Sequence, residues 1–269
     1  MAIGFSNIPA DIRVPLFYAE MDNSAANSAS SAMRRLIVAQ VNDNIAPAEV
    51  GKLVLVSSVA LAKSIGGQGS MLASMYETWR KTDPIGEIWC LPLHNTEGSI
   101  AKGVLTLTGA ATQSGVLNLY VGGVRVQAAI VNGATAAQAA TALALKINAT
   151  ADLPVSAAAV EGIVTLSAKW TGDSGNDISL QFNRLGKSNG EETPAGLTTA
   201  ITAMTGGAGV PDQVAAVAAL GDEPFEFICM PFSDLSTLNT WQAVMDDSTG
   251  RWSWAKQLFG HVYSAKRGT

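Results

Sequence analysis

The chain has 269 residues, enough for one or two domains of ordinary size, with a formal net charge of −5. It is 48% hydrophobic and only 14% charged, against about 25% charged in soluble domains generally, which points to surface hidden against partners or to a large core. Lys266-Arg267 is the nearest thing to a basic cluster, so nucleic acid is excluded as a main partner; no apolar run reaches the ~20 residues of a membrane span, and the start lacks the basic and apolar regions of a secretory signal.

The first 23 residues read as an extended arm. Pro9 and Pro15 forbid a continuous helix, and Ile8, Val14, Leu16, Phe17 and Tyr18 are apolar without a clear period. Residues 23–31 are small and polar, a hinge composition. Such an arm docks on its own domain or on a neighbouring subunit.

Residues 36–41 then read as a buried strand and 52–57 as a second. Met71, Leu72, Met75, Tyr76 and Trp79 lie on one face of a helix over 70–80. Residues 86–91 form a strand that Pro92 is expected to stop. Glu87-Ile-Trp-Cys-Leu-Pro-Leu93 is echoed by Glu226-Phe-Ile-Cys-Met-Pro-Phe232, position by position in residue class. Each copy follows a helical stretch, the second over 212–220, which is the rhythm of a parallel sheet covered by helices.

Between the echoes the grammar changes. Strands are expected over 104–108, 116–121, 124–130, 155–160, 164–168, 178–183 and 197–204, broken by Gly-rich turns. One Ala-rich helix runs over 135–149, with Thr135 as N-cap. After the second echo come helices over 234–245 and 251–258 and a strand beginning at 260. The fold class is therefore an α/β core with a parallel-rich sheet, interrupted by an inserted β-rich α+β domain and preceded by an extended N-terminal arm. The division is residues 1–31 for arm and linker, 32–94 plus 210–269 for the discontinuous core, incomplete at its C-terminus, and 95–209 for the insert.

Chemistry-bearing motifs are weak. Gly186-Lys187-Ser188 ends like a phosphate-binding loop, but position 181, where that motif needs Gly, is Gln. Gly172-Asp173-Ser174-Gly175 looks like a serine-nucleophile segment, yet no histidine and carboxylate are placed to serve it, and a tight turn explains it. The glycines of 66–69 precede a helix as in an anion cradle, without dinucleotide-binding spacing. Cys90, Cys229, His94 and His261 show no metal-ligand spacing, and the cysteines, both in apolar runs, fit a reducing compartment. Glu191-Glu192 reads as a solvated loop pair and Asp246-Asp247 as a helix end, and neither makes an acid/base pair. Trp252 and Trp254, with Arg251, are candidates for stacking on sugars or bases, or for packing against the helix of Trp241. No catalytic, cofactor-binding or metal site is assigned.

An ordered set of segments carries a resemblance. Residues 8–15 (Ile-Pro-Ala-Asp-Ile-Arg-Val-Pro) and 18–23 (Tyr-Ala-Glu-Met-Asp-Asn) resemble the opening of tail sheath proteins from Mu-like contractile-tailed phages. The match continues through 153–157, 175–178, 206–212, 220–228, 250–254 and 260–263. The resemblance implies a non-enzymatic virion subunit, built in the host bacterial cytoplasm. Its partners would be copies of itself in six-fold rings, the tail tube protein, the baseplate and the tail terminator, without nucleic acid, membrane or cofactor. It implies an inter-subunit arm carrying Ile8, Arg13, Val14, Leu16, Phe17 and Tyr18, and a strained sheath whose contraction drives the tube through the host envelope. Family members continue past the positions matching 260–269, through a further core segment and a C-terminal arm; this sequence stops at Thr269. The competing expectation is a receptor- or carbohydrate-binding virion module with the insert as reader; an aromatic cluster would support it, but the insert's Tyr120, Trp170 and Phe182 are spread apart in sequence.

Overall fold

The computed structural model describes residues 33–45 and 50–265. Its largest sheet is built around β1 (Arg35–Gln40), whose six residues are almost wholly buried. A continuous apolar run of this kind suits a strand covered on both faces. The other strands of the sheet are β2 (Val54–Leu55), β3 (Ile88–Leu93), and, far along the chain, β11 (Phe227–Met230) and β12 (His261–Ser264). The order is β12-β11-β1-β3-β2. Four neighbours run parallel and β2 runs antiparallel to β3.

Helices cover both faces. α1 (Val59–Gly66) and α2 (Met71–Thr82) pack on the side of Ile37, Ala39 and Cys90. Ser58 and Ser70 cap them, each accepting from the backbone N–H three residues on, at 3.2 and 3.1 Å. α4 (Gln213–Ala218) and α5 (Leu235–Val244) pack with Leu36, Val38, Ile228 and Met230 on the opposite side. There Trp241 is 2% exposed and donates its indole N–H to Gln213 at 3.0 Å.

The strands between β3 and α4 form two antiparallel sheets. β4 (Ile100–Gly109), β7 (Val155–Val160), β8 (Ile163–Thr171) and β10 (Leu197–Thr205) make one, in the order β10-β4-β8-β7; β5 (Gly115–Val121), β6 (Val124–Ile130) and β9 (Leu180–Phe182) make the other, in the order β6-β5-β9. Gly122 and Gly123, with φ of 57° and 85°, turn β5 into β6, the two left-handed residues a tight hairpin demands. α3 (Ala136–Ala149) buries Leu143 and Ile147 against these sheets and starts in a full capping box between Thr135 and Gln138.

Three expectations are corrected. Pro92 does not stop its strand. Its carbonyl accepts from the N–H of Gly51 at 2.8 Å, on the side away from β1, so the missing donor falls where the β1 ladder needs none. The strand expected over 52–57 shrinks to Val54–Leu55, and α1, which was not expected, follows it. Residues 251–258 form turns, not a helix: the Arg251 carbonyl accepts from Leu258, and Gln257 sits at φ 52°.

Candidate functional site

Polar side chains join the large sheet to the antiparallel ones at the C-terminal end of β1. The Gln40 amide donates to the Thr171 carbonyl at 2.8 Å and accepts from the Ser174 hydroxyl at 2.7 Å. The Asp43 carboxylate accepts from the Thr171 amide and hydroxyl at 3.1 and 2.7 Å. The Lys169 ammonium donates to the carbonyls of Gln68 and Ala151 at 3.0 and 2.7 Å; burial lowers its pKa, with Asp152 acting against the shift. Two glycine motifs thus serve this joint. Ser174 of the 172–175 turn is a hydrogen-bonding strut, and the 66–69 loop lends a carbonyl. At Gly69 a Cβ would stand 2.1 Å from the Leu153 carbonyl oxygen, so only glycine fits. Gly186-Lys187-Ser188 leads into an isolated turn of 3-10 helix.

The carboxyl ends of parallel strands are where α/β folds hold ligands; here the β8 end and its following turn occupy that place at β1. His94, with Nε2 3.4 Å from Asp43, belongs to the same joint. Among the described residues no group of three His, Cys, Asp or Glu side chains is arranged to hold a metal ion.

The other distinctive surface is the sheet edge at β12. The His261 amide donates to the Glu226 carbonyl at 2.9 Å. His261 and Tyr263 therefore turn their backbone groups toward β11, and strand alternation turns those of Val262 and Ser264 to the other side, where no strand lies among the described residues. Phe227 stacks on Tyr263 with centroids 6.2 Å apart; His261 and Phe259 each meet Trp252 edge to face, at 5.6 and 6.0 Å. Tyr263, Phe259 and Trp254 remain 51%, 60% and 84% exposed. Beside the edge lies a cavity of about 360 Å³, lined by Met230, Leu238, Met245, Trp252 and Val262 among others. The indole of Trp252 is fixed by donation to the Gly260 carbonyl at 3.0 Å. Arg251 is buried instead of stacking: it donates to the carbonyls of Gly221 and Glu223. Burial pulls its pKa down, and Asp222 opposes the pull.

The arm residues Ile8, Arg13, Val14, Leu16, Phe17 and Tyr18 lie outside the described residues. The insert's Tyr120, Trp170 and Phe182 make no exposed platform. Tyr120 and Trp170 are buried, at 8% and 4% exposure, with their polar atoms bonded to Glu191 and Ser174, and Phe182 is partly buried against the core. The β12 edge escaped sequence reasoning because an edge is defined by strand order.

No family model matches the chain. Over its whole length it is 37% identical to the Mu-like prophage FluMu tail sheath protein of Haemophilus influenzae, an alignment of 271 residues that takes in 54% of that protein. The chain thus spans about half the length of the relative. Among solved structures it is similar to a sheath tail protein of Desulfitobacterium hafniense, with TM-score 0.35 and 13% identity over 93% of this chain and 52% of that one. A sheath tail protein of Listeria innocua gives TM-score 0.30 and 10% identity over 82% of this chain and 46% of that one.

Proposed function

The chain is related along its whole length to the tail sheath protein of a Mu-like prophage, and on that premise we propose that it is part of a contractile-tail sheath subunit. The subunit polymerises around the tail tube and contracts to drive the tube through the host envelope. The single observation that carries this reading is the 37% identity, in an alignment that takes in the whole of the chain.

The proposed division is an arm and linker over 1–31, a core over 32–94 plus 210–269, and an inserted outer domain over 95–209. It is supported by the two antiparallel sheets, whose strands all fall in sequence between β3 and α4. The role is structural, without catalysis. Partners are further copies in six-fold rings, the tube, the baseplate and the tail terminator, in a virion tail assembled in the host cytoplasm. Residues Ile8–Tyr18 of one subunit add as a strand to the β12 edge of the next. Main-chain hydrogen bonds then hold neighbours together while low-charge faces slide between two packings.

Electron microscopy of the longer relative, expressed alone, tests this. Normal tubes are expected from the parent and none from a form lacking the segment matching residues 1–23. Val262→Pro at the edge should act similarly, because it removes a donor that β11 does not use. Normal tubes from both variants would defeat the arm assignment.

A further inference from the structure

β10 is an edge strand: among the described residues it pairs with β4 alone, at one end of the order β10-β4-β8-β7. Its nine residues, Leu-Thr-Thr-Ala-Ile-Thr-Ala-Met-Thr, include no charge and no proline, the side-chain devices that keep an edge from recruiting another strand. The other edge of the same sheet, β7, has Asn148 bonded to both backbone groups of Ala157. On β10, Ala200, Ile201, Thr202 and Ala203 are exposed. Which backbone groups stand open follows from β4. The Leu107 N–H donates to the Gly162 carbonyl, beside the start of β8, at 2.8 Å, so alternation turns Val104, Thr106 and Thr108 toward β10. Their partners Thr202, Ala200 and Thr198 are thereby engaged. The N–H and C=O of Thr199 and Ile201, and the N–H of Ala203, point away from the sheet. Just beyond, a bulge between Thr202 and Thr205 breaks the register and ends the regular edge.

We infer that two copies of this chain join through β10, antiparallel about a two-fold axis at Ile201. The occupant is a second copy because the open groups are symmetric about that residue. In this register the Ile201 N–H of each copy donates to the Ile201 carbonyl of the other, and the Ala203 N–H of each donates to the Thr199 carbonyl of the other. Ala200 then faces Thr202 and Thr199 faces Ala203, so every cross-strand pair sets a small residue against a β-branched one and no charge meets a like charge. The contact is isologous: it uses the edge in both copies and stops at two. Two sheets of four strands become one of eight. Pairing over residues 199–203 covers far less than the roughly 800 Å² per partner of a standard interface, so the dimer is weak and depends on concentration. The inference is independent of the sheath reading. Subunits in rings on one tube all point the same way and have no such axis between neighbours, so the pair belongs to free chains or to chains on separate assemblies.

Sedimentation velocity and introduced cysteines test this on the full chain carrying Cys229→Ser, which leaves only the buried Cys90 as a native thiol. Over a hundredfold range of concentration reaching about 1 mM, the regime of weak contacts, the average mass should rise toward two copies and stop there. Ile201→Pro removes a donor that β4 does not use, so the fold should persist by circular dichroism while association weakens at least about tenfold. Under mild oxidation Ile201→Cys should form a disulfide-linked dimer, because the two symmetry-related Cα atoms would stand about 5.5 Å apart. Thr199→Cys should not, since its counterpart lies four residues along the partner strand, roughly 13 Å away. A chain that stays monomeric throughout overturns the inference, as does mass rising past two copies, a folded Ile201→Pro chain that associates like its parent, or equal cross-linking by the two cysteine variants. If Ile201→Pro does not fold, the cysteine pair decides.

Discussion

Cys90 and Cys229 stand at one register on opposite sides of β1, each paired with Ile37. The echo between 87–93 and 226–232 is thus a repeated position in the sheet, two parallel strands flanking the same central one. Their surroundings differ. α2 packs on the side of Cys90, which is 0% exposed, while Cys229 opens into a cavity of about 760 Å³ lined by Met75, Trp79 and Arg35 among others.

That difference predicts selective thiol chemistry. Burial pushes the Cys90 thiol up to about 12, with Arg80 opposing, and raises Cys229 as well. In native protein at pH 8 a maleimide should modify Cys229 slowly and leave Cys90 untouched; in denaturant both should react. Strands two ladders apart are roughly 9–10 Å distant, beyond disulfide reach, so oxidation should not join them. Mass spectrometry after timed labelling reads both points, and equal native labelling of the two would refute the assignment.

The large sheet was legible because buried parallel strands write themselves as unbroken apolar runs. Thr135 was legible as an N-cap because its hydroxyl and Gln138 act within one turn of chain. What escaped depends on partners distant in sequence. Whether Pro92 breaks a strand is decided by which neighbour its backbone faces, and Gly51 settles that. Residues 251–258 have apolar spacing that passes for a helix, but their backbone groups are taken by Val244 and by turns. The Glu191-Glu192 pair read as a solvated loop, yet Glu191 is 3% exposed, because Tyr120 and Arg125, remote in sequence, close over it.

Glu191 supplies a pH prediction. Its carboxylate accepts from the Tyr120 hydroxyl at 2.6 Å, the Leu185 amide at 2.9 Å and Arg125 at 3.2 Å. Burial acts to raise its pKa, but the hydrogen bonds from Tyr120, Leu185 and Arg125 outweigh burial and hold it below the usual carboxylate range. A folded-state pKa below the unfolded one gives stability that is present above about pH 4.3 and is lost as pH falls through the folded value. Glu191→Gln should therefore lower the urea midpoint at pH 7, and the gap from the parent should narrow below pH 4. A gap that widens on acidification would contradict this sign.

Asn148 guards another edge. β7 is the outer strand of its sheet, and the Asn148 amide donates to the Ala157 carbonyl at 2.8 Å while its oxygen accepts from the Ala157 N–H at 2.9 Å. The side chain thus occupies the place of a neighbouring strand at that residue. Asn148→Ala should free both backbone groups and raise aggregation on storage, with helix α3 intact because Asn148 faces outward from its buried stripe. Light scattering and circular dichroism together check this, and unchanged scattering would reject a guarding role.

Gly260 governs how β12 enters the sheet. A Cβ there would lie 2.0 Å from the Phe225 carbonyl oxygen, and a backbone atom cannot swing aside as a flexible side chain can. Gly260→Ala must push β12 away from β11 or displace the start of β11, at a cost of about 1–3 kcal/mol. The effect should be local at first. Trp252 loses its carbonyl partner at Gly260, and the His261 amide loses Glu226, so hydrogen exchange should accelerate at 261–264 before the core around Trp241 is affected. Gly186→Ala is the control, since its Cβ would meet nothing within 4 Å and only its positive φ is strained. Equal exchange at 261–264 in the Gly260→Ala and Gly186→Ala proteins would show that the close approach at Gly260 does not hold β12 in place.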